Sequence, residues 1–455
     1  MKIKLPQIKI GINEITLLSI FVVALTLRIY WILAVDTVQL FDFANYQMIA
    51  TNIANGYGHT MHGLPVAWQG SGYPYVLGLF YWLIGTTDVL AGKWLNVLFS
   101  MTTLVLCWFI FKKIFDDKKY ALLALGGVAF LPQYIAYVNV IGTEVFFTLL
   151  LAAIIFVKLY FLDKKYVFVL IGLLIGVAAL TRPFMLAYPV IAGVFMLTVS
   201  KQLKRSLIFA GLSLAVALVV IAPWTWRNYQ HFGRFIPVSY NSGYVLFINN
   251  NDLNTNGLWM DPLRIVADDP ERLEILQRGL EGRTVHQAHE LEPYFGAWAR
   301  EWIRQNPLQY LRMGVLRLHR TFFDGAIDIP MWTANVSPIY QEGITQLQRD
   351  NYLRHHNFLD SARGIMTIII NSAGFLFLLI MLKKYALAVF TKKGRLDLLT
   401  AVVYINFAFL VVIPFVYEGQ PRYAFPAYIL TIPAAVVIIQ ALAKFLGEKN
   451  AEKNS

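Results

Sequence analysis

The chain has 455 residues, of which 57% are apolar, 15% aromatic and only 15% charged, and its mean hydropathy is +0.55. This is more apolar surface than a soluble core can bury, which excludes a soluble globular protein and predicts a membrane as the solvent. The net charge of +12 lies in short basic clusters between apolar stretches, a pattern typical of the cytoplasmic loops of membrane proteins and not of nucleic-acid binding. The single cysteine, Cys107, lies inside an apolar run, so no intramolecular disulfide can form.

The first apolar run covers residues 15–35 and is long enough to cross a hydrocarbon core of about 30 Å. Lys2, Lys4 and Lys9 precede it, and no small-residue cleavage site follows it. We therefore predict a retained transmembrane helix with a cytoplasmic N-terminus, and not a removed signal peptide. The segment after this helix is then extracytoplasmic.

The distribution of Lys and Arg sets the predicted topology of the remaining spans. No Lys or Arg occurs between Arg28 and Lys93, whereas several later segments between apolar runs are basic. The apolar run 73–85 has only 13 residues, too few to span a bilayer, so we predict that it lies at the membrane interface. Every basic cluster then falls on the cytoplasmic side. The nine further predicted spans are 88–114, 119–138, 144–162, 166–180, 183–200, 206–224, 365–382, 398–416 and 423–446.

Counting residues 73–85 as a full span is the alternative topology. It would place segment 111–120, with its four lysines, on the outer face, against the positive-inside rule. That rule is statistical, so both topologies stay open from the sequence.

The sequence thus predicts an all-α integral membrane protein with about ten transmembrane helices, located in the cell membrane with both termini cytoplasmic. Residues 1–224 form an N-terminal transmembrane module with a first outer loop, 36–87. Residues 225–360 form a long outer loop with interfacial helices, and residues 361–455 form the last spans and a short cytoplasmic tail. Between 291 and 320, apolar residues recur at helical spacing among arginines, which predicts one helix lying on the membrane.

Three charged residues at the predicted outer boundary are candidates for chemistry. Asp42 opens a short predicted helix, where it either caps the free backbone N–H groups or acts as a catalytic carboxylate. Glu144 stands at the outer end of a span, where it either complements the helix dipole or needs a partner. Arg182 lies at the outer junction of two spans and either binds a lipid phosphate or extends to the headgroups.

Other ionisable residues are given no role in the site. Arg28 lies inside the first span and is predicted to be paired or to extend towards the interface. His286 and His289 lie one helical turn apart before Glu290, but two histidines alone do not define a metal site, so we assign no metal ligand.

Six segments taken together resemble the GT-C superfamily of membrane glycosyltransferases, specifically the branch that holds bacterial aminoarabinose transferases and protein O-mannosyltransferases. Each segment is a weak signal singly, and their order and topology make the resemblance fairly specific. The segments are Asp42-Phe43-Ala44-Asn45-Tyr46, Trp68-Gln69-Gly70-Ser71-Gly72-Tyr73-Pro74, Gly142-Thr143-Glu144, Leu180-Thr181-Arg182-Pro183, Pro223-Trp224-Thr225-Trp226-Arg227-Asn228 and Gln420-Pro421-Arg422-Tyr423.

The resemblance implies an inverting transfer of a sugar from a polyprenyl-phosphate carrier to a protein, lipid or glycan acceptor at the outer face of the membrane. The distribution of basic residues described above predicts no nucleic-acid partner. By the same resemblance Asp42 is the catalytic residue, which acts as general base on the acceptor hydroxyl or orients it. The residues implied to bind substrate are Glu144, Gln69, Tyr46 and Tyr73, and those implied to bind the donor phosphate are Arg182, Arg227 and Arg422.

The chain departs from the family pattern at two places. Members of the family commonly carry a second acid at the position of Phe43 and another acid, or a basic-proline pair, around residues 69–71. Gln69 can bind a sugar hydroxyl but cannot take up a proton. The sugar, the acceptor and any requirement for a divalent metal are therefore left open.

Two other functional classes remain alternatives. A lipid or sugar transporter would show ionisable groups in the middle of the membrane and two similar halves, whereas the notable acids here lie at the predicted outer boundary. A non-catalytic member of the same fold is the second alternative, because the missing second acids are compatible with lost activity.

Overall fold

Helices form almost all of the protein in the computed structural model, which describes residues 11–35, 37–257, 259–324, 346–390 and 396–454. Within these residues the one piece of sheet is an antiparallel hairpin of β1 (Thr60–Met61) and β2 (Leu64–Pro65). The helices are α1 (Ile12–Ala34), α2 (Asp42–Ala54), α3 (Gly72–Ile84), α4 (Val89–Ile114), α5 (Lys118–Ala129), α6 (Pro132–Ala136), α7 (Thr143–Tyr160), α8 (Val167–Thr181), α9 (Tyr188–Ser200), α10 (Leu203–Phe232), α11 (Ser242–Asn249), α12 (Pro262–Ile265), α13 (Pro270–Leu280), α14 (Glu292–Gln305), α15 (Pro307–Phe322), α16 (Gln346–Phe390), α17 (Leu398–Val416) and α18 (Tyr428–Asn454).

The helices confirm the predicted class, an all-α multi-pass membrane protein. In the described residues eight helices are long and apolar enough to cross a membrane, and a ninth span results if the bent pair Lys118–Ala129 and Pro132–Asn139 is counted as one. Nine of the ten predicted spans fall on one helix each, and the span 119–138 falls on the bent pair. One of them, α8, has only 15 residues, so the predicted count of ten is not confirmed. The run predicted to be interfacial forms α3, a 13-residue apolar helix.

A buried arginine lies at the bend between α5 and α6, where Pro132 starts a new helix. Arg28 of α1 is fully buried, and its guanidinium donates hydrogen bonds to the carbonyl oxygens of Ala129 (3.1 Å) and Ala24 (3.0 Å) and to Ser100 Oγ (2.8 Å). Ala129 is the last residue of α5, so its carbonyl has no partner within the helix. Arg28 is therefore paired, as predicted, and it stabilises the broken helix.

Two helices differ from the prediction in their bounds. The predicted single helix 291–320 is broken at Asn306 into α14 and α15, because the proline that follows disfavours the helical conformation at the preceding residue. Helix α10 continues to Phe232, past the predicted end of its span at residue 224.

The helices between α10 and α16 have their own aromatic core. Phe247 of α11 and Phe295 of α14 pack with ring centroids 5.5 Å apart, and Trp68 and Trp224 belong to the same cluster. The backbone N–H of Tyr240 donates to the carbonyl oxygen of Ala67 at 3.0 Å. These contacts join the long predicted loop to the first predicted loop, and the candidate site lies close to this junction.

Candidate active site

Asp42 is the first residue of α2, and both of its carboxylate oxygens accept hydrogen bonds from side chains. Oδ1 accepts from Gln69 Nε2 at 2.7 Å, and Oδ2 accepts from an Arg422 terminal nitrogen at 2.6 Å. The residue before it, Phe41, has a φ of +48°, which is strained for a residue with a side chain by about 1–3 kcal/mol. Asp42 is thus held by partners from distant segments, and neither oxygen serves as the helix cap considered from the sequence.

The charge state of Asp42 follows from these partners. Burial alone would raise the pKa of the carboxyl, but the positive charge and hydrogen bond of Arg422 outweigh it, with help from His286 and Arg182. The pKa of Asp42 therefore lies below its ordinary value. The side chain is 29% exposed, so an ionised carboxylate that a hydroxyl group can reach is present at neutral pH.

A second ion pair joins Glu144, near the start of α7, to Arg182. An Arg182 terminal nitrogen lies 2.7 Å from Glu144 Oε1, and Glu144 is only 3% exposed. The Arg182 guanidinium also lies over the ring of Tyr423 at 5.6 Å. A Cβ at Gly142 would come within 2.5 Å of Glu144 Oε2, so the glycine leaves room for the buried carboxylate.

Glycines let the first predicted loop approach the end of α8 very closely. A Cβ on Gly70 would lie 2.4 Å from the carbonyl oxygen of Leu180, and one on Gly72 would lie 2.5 Å from Thr181 Oγ1. Residue 69 precedes the first of these glycines, and Arg182 follows Thr181. This contact therefore fixes Gln69, and with it Asp42, relative to Arg182.

We expect Gly70→Ala to lower both stability and activity, because the new methyl group forces the loop away from backbone that cannot yield. The expected loss of unfolding free energy is about 1–3 kcal/mol, as for other overpacked sites. Thermal unfolding of the purified full-length protein in detergent measures it. The matched control is Gly211→Ala in α10, where a Cβ meets nothing within 4 Å. Equal melting temperatures for the two variants would contradict the close approach.

A cavity of about 360 Å³ lies beside both ion pairs. Four charged residues line it, namely Glu144, Arg182, Glu418 and Arg422. Most of its remaining lining is apolar and comes from α7, the segment that follows Arg182, residues 237–245 before and within α11, α17, and the 3₁₀ turn Pro421–Ala427. The apolar residues include Phe147, Pro183, Phe184, Leu186, Val245, Leu410, Ile413, Pro414 and Pro426. A ligand with an anionic head and an apolar tail matches this division.

Arg422 connects the cavity with Asp42. It lines the cavity, it bonds to Asp42, and its guanidinium lies 5.5 Å from the ring centre of Tyr423. Its Nε is buried and makes no hydrogen bond in the part of the chain that the structure describes. Arg422 therefore has hydrogen-bonding capacity left for a ligand.

The remaining predicted site residues lie at different distances from this centre. Tyr46 is buried within electrostatic range of both ion pairs, and its ring packs edge-on against Tyr73 with centroids 6.0 Å apart. Tyr73 itself is fully buried and donates its hydroxyl to Asn96 Oδ1 at 3.0 Å. The structure thus brings Tyr46 next to the site and places Tyr73 in the packing behind it.

Arg227 is held by the first predicted loop. Its terminal nitrogens donate to the carbonyl oxygens of His59 (2.7 Å) and Val66 (3.0 Å), and its guanidinium lies over the ring of Trp224 at 4.7 Å. It is not among the residues that line the cavity. Arg227 therefore lies away from the cavity that Arg182 and Arg422 line, and its contact with the donor phosphate stays a prediction.

The sequence analysis missed Glu418. This residue lies between α17 and the 3₁₀ turn Pro421–Ala427, is 5% exposed, and accepts hydrogen bonds from Gln420 Nε2 (2.7 Å) and the Tyr423 hydroxyl (2.6 Å). An acid at the end of an apolar span is costly without a partner. This signal pointed to Glu144, and it could have pointed to Glu418 as well. Within the described residues, no group of three or more His, Cys, Asp or Glu side chains is placed to hold a metal ion.

A protein-family model matches part of the chain. Residues 69–226 match the family model described as dolichyl-phosphate-mannose-protein mannosyltransferase. This match confirms the predicted resemblance for that part of the chain, which includes Gln69, Glu144 and Arg182. Asp42 and Arg422 lie outside it. No curated protein matches the chain in sequence.

Solved structures similar to the chain include two of the oligosaccharyltransferase of Archaeoglobus fulgidus. One is the apo form, with 13% identity and a TM-score of 0.49 over 95% of this chain and 52% of that chain. The other is AglB in complex with an inhibitory peptide and a dolichol-phosphate, with 12% identity and a TM-score of 0.48 over 95% of this chain and 51% of that chain. A third is ArnT from Cupriavidus metallidurans bound to undecaprenyl phosphate (14%, 0.47, 94% and 78%). The chain spans about half the length of the oligosaccharyltransferase chains that it matches.

Proposed function

We propose that this protein is an inverting glycosyltransferase that moves a sugar from a polyprenyl-phosphate carrier to a protein, lipid or glycan at the outer face of the cell membrane. The observation that supports it most directly is the pair of arginine–carboxylate contacts, Arg422 with Asp42 and Arg182 with Glu144, beside one apolar cavity. The family match over residues 69–226 supports glycosyl transfer as the reaction class.

The cavity suits a lipid phosphate because its two kinds of lining match the two parts of that molecule. The apolar side chains bind the first prenyl units, and Arg182 and Arg422 bind the phosphate oxygens. Arginine is the side chain best suited to that contact, since its planar guanidinium offers parallel N–H donors to two oxygens. Arg227 holds the loop hairpin and, in this proposal, acts on the site only through Gln69 and its neighbours.

In the reaction Asp42 takes the proton of the acceptor hydroxyl as that oxygen attacks the anomeric carbon. The bond between that carbon and the phosphate oxygen breaks on the opposite face, so the configuration inverts and the carrier phosphate leaves with the electron pair. Gln69 holds Asp42 Oδ1 in place, and the arginines stabilise the charge that develops on the leaving phosphate. Glu144 orients Arg182.

We expect Arg182→Ala to weaken use of the donor more than use of the acceptor. Losing a charged hydrogen bond worth about 1.5–3 kcal/mol corresponds to a 10–150-fold rise in the donor KM. Steady-state kinetics with varied donor measures it, and Arg182→Lys shows what the planar guanidinium adds beyond its charge. The control is Arg278→Ala, which removes an exposed ion pair with Glu274 on α13. A donor KM and kcat equal to those of the wild type would refute the phosphate role.

The function itself is tested by mass spectrometry of surface glycans and glycolipids. Cells with the wild-type chain, with Asp42→Asn and with a deletion are compared. A sugar missing from both altered strains supports a glycosyltransferase and identifies its product. A sugar lost only in the deletion strain points to transport or scaffolding and rejects Asp42 as the base.

A further inference from the structure

Glu418 is a third carboxylate at the candidate site, and its environment differs from that of Asp42 and Glu144. Each of those two pairs with an arginine, whereas Glu418 makes no ion pair within 4 Å in the described part of the chain. Its two hydrogen bonds come from neutral donors, Gln420 and Tyr423. Glu418 nevertheless lines the same cavity as the two arginines.

The position of Glu418 is fixed by packing against α15. A Cβ on Gly419 would come within 2.6 Å of the carbonyl oxygen of Arg317, so the chain passes directly over that helix. The fully buried Arg317 guanidinium donates to the carbonyl oxygen of Phe415 at 2.8 and 3.1 Å. The segment that carries Glu418 is therefore anchored on both sides of it, and the carboxyl is held at the cavity wall.

The charged and titratable groups around Glu418 come from several elements. Its own segment contributes Arg422 and Tyr423, α2 contributes Asp42, and α11 contributes Tyr244. Arg182 and Glu144 line the same cavity.

Burial and the negative charge of Asp42 raise the pKa of Glu418, and they outweigh the opposing effects of Tyr423, Arg422 and Gln420. The pKa of Asp42 is shifted in the opposite direction. Two nearby carboxyls whose environments separate their pKa values in this way are the usual arrangement of an acid and a base in one active site.

We propose that Glu418, in its protonated form, is the general acid that donates a proton to the carrier phosphate as it leaves. This proposal rests on the function proposed above. The anomeric carbon–oxygen bond breaks, its electron pair stays on the phosphate, and a phosphate oxygen takes the Glu418 proton, so that the carrier leaves as the monoanion. Asp42 takes the acceptor proton, and exchange with water returns both carboxyls to their starting states. A phosphate monoester has its second pKa near about 6, so a carboxylic acid with a raised pKa is suited to this transfer.

The test is proton uptake on binding undecaprenyl phosphate to the full-length protein in nanodiscs. When the pH is high enough to ionise both the free carrier and Glu418, whose pKa is raised, the complex still holds one proton that the two groups share. We therefore expect the wild type to take up close to one proton and its affinity to fall tenfold per pH unit. Glu418→Gln has no such proton, and its affinity should not change with pH in this range. Isothermal titration calorimetry in buffers of different ionisation enthalpy counts the protons.

Control variants make each outcome decisive. Glu274→Gln, an exposed acid on α13, should behave as the wild type. Tyr423→Phe removes a hydrogen bond that favours ionised Glu418, so proton uptake should begin at a higher pH than in the wild type. If Glu418→Gln does not fold, this variant tests the general-acid role in its place. Equal uptake by the wild type and Glu418→Gln would overturn the general-acid role and leave glycosyl transfer standing. A wild type that does not bind undecaprenyl phosphate would overturn both proposals.

Discussion

Asp42→Asn is expected to give a folded, membrane-inserted protein whose transfer rate is about 10²–10⁴-fold lower, the usual contribution of a general base. Asparagine keeps the shape of the side chain and an oxygen for Arg422 or Gln69, but it cannot take the proton of the acceptor hydroxyl. Because the contacts within the site persist, donor binding should change much less than kcat. Initial rates of sugar transfer by the purified protein, together with its melting temperature, separate these effects.

The control for this variant is Asp88→Asn. Asp88 is an exposed acid that caps α4 by accepting a hydrogen bond from the Leu90 N–H at 2.7 Å, and asparagine caps a helix about as well. Its activity should equal that of the wild type. Transfer by Asp42→Asn at the wild-type rate would remove Asp42 from the mechanism and favour a structural role for its ion pair.

Arg422→Gln should have the second largest effect, and it should also change the pH dependence. Arg422 provides the largest influence that lowers the pKa of Asp42, so without it burial dominates and that pKa rises. A base works only when ionised, so kcat/KM is lost as the pH falls through its pKa. The acidic limb of the wild type should lie below the ordinary aspartate value of about 3.9, and that of the variant above it.

The rate should fall as well, because Arg422 is proposed to bind the leaving phosphate. The loss of one charged hydrogen bond corresponds to about a 10–150-fold lower kcat/KM at neutral pH. A profile of kcat/KM from pH 4 to pH 8 shows both effects, because the acidic limb of the variant should fall inside this range and that of the wild type below it. The control is Arg320→Gln, which removes the ion pair between Arg320 of α15 and Asp324, two residues after the end of that helix. An acidic limb at the same pH in Arg422→Gln and the wild type would show that Arg422 does not set the ionisation of Asp42.

The helices of the fold were largely predictable, because hydropathy and helix length depend on local sequence. Each predicted span falls on one helix or, at 119–138, on the bent pair. The errors occur where a single residue ends a helix, as at the break before Pro307. The pairing inside the site was not predictable, since Asp42 and Arg422 are 380 positions apart and meet only through tertiary packing. The sequence analysis placed Arg422 on the phosphate and gave Asp42 no partner.

The roles of Arg227 and Glu418 were not predictable for the same reason, because they depend on neighbours in space. Arg227 belongs to a segment that resembles the family, and its local sequence does not show that two loop carbonyls occupy its guanidinium. Glu418 stands two residues before a segment that was singled out, yet only the structure shows that it lines the same cavity as Arg182 and Arg422. In both cases the side-chain type was visible and its neighbours were not.

The arginine–carboxylate pairs have a consequence for selectivity in a crowded membrane. Phospholipid phosphates surround a membrane protein at far higher concentration than any carrier lipid, and bare guanidinium groups would attract them all. Here Asp42 and Glu144 already contact the two guanidinium groups at 2.6–2.7 Å and offset their charge, so an incoming anion is attracted less strongly than by a bare arginine. Under the proposed function, a ligand then binds tightly only if it gains further free energy elsewhere, from its prenyl chain and its sugar. Bulk phospholipids would thus bind weakly at these arginines, although they surround the protein.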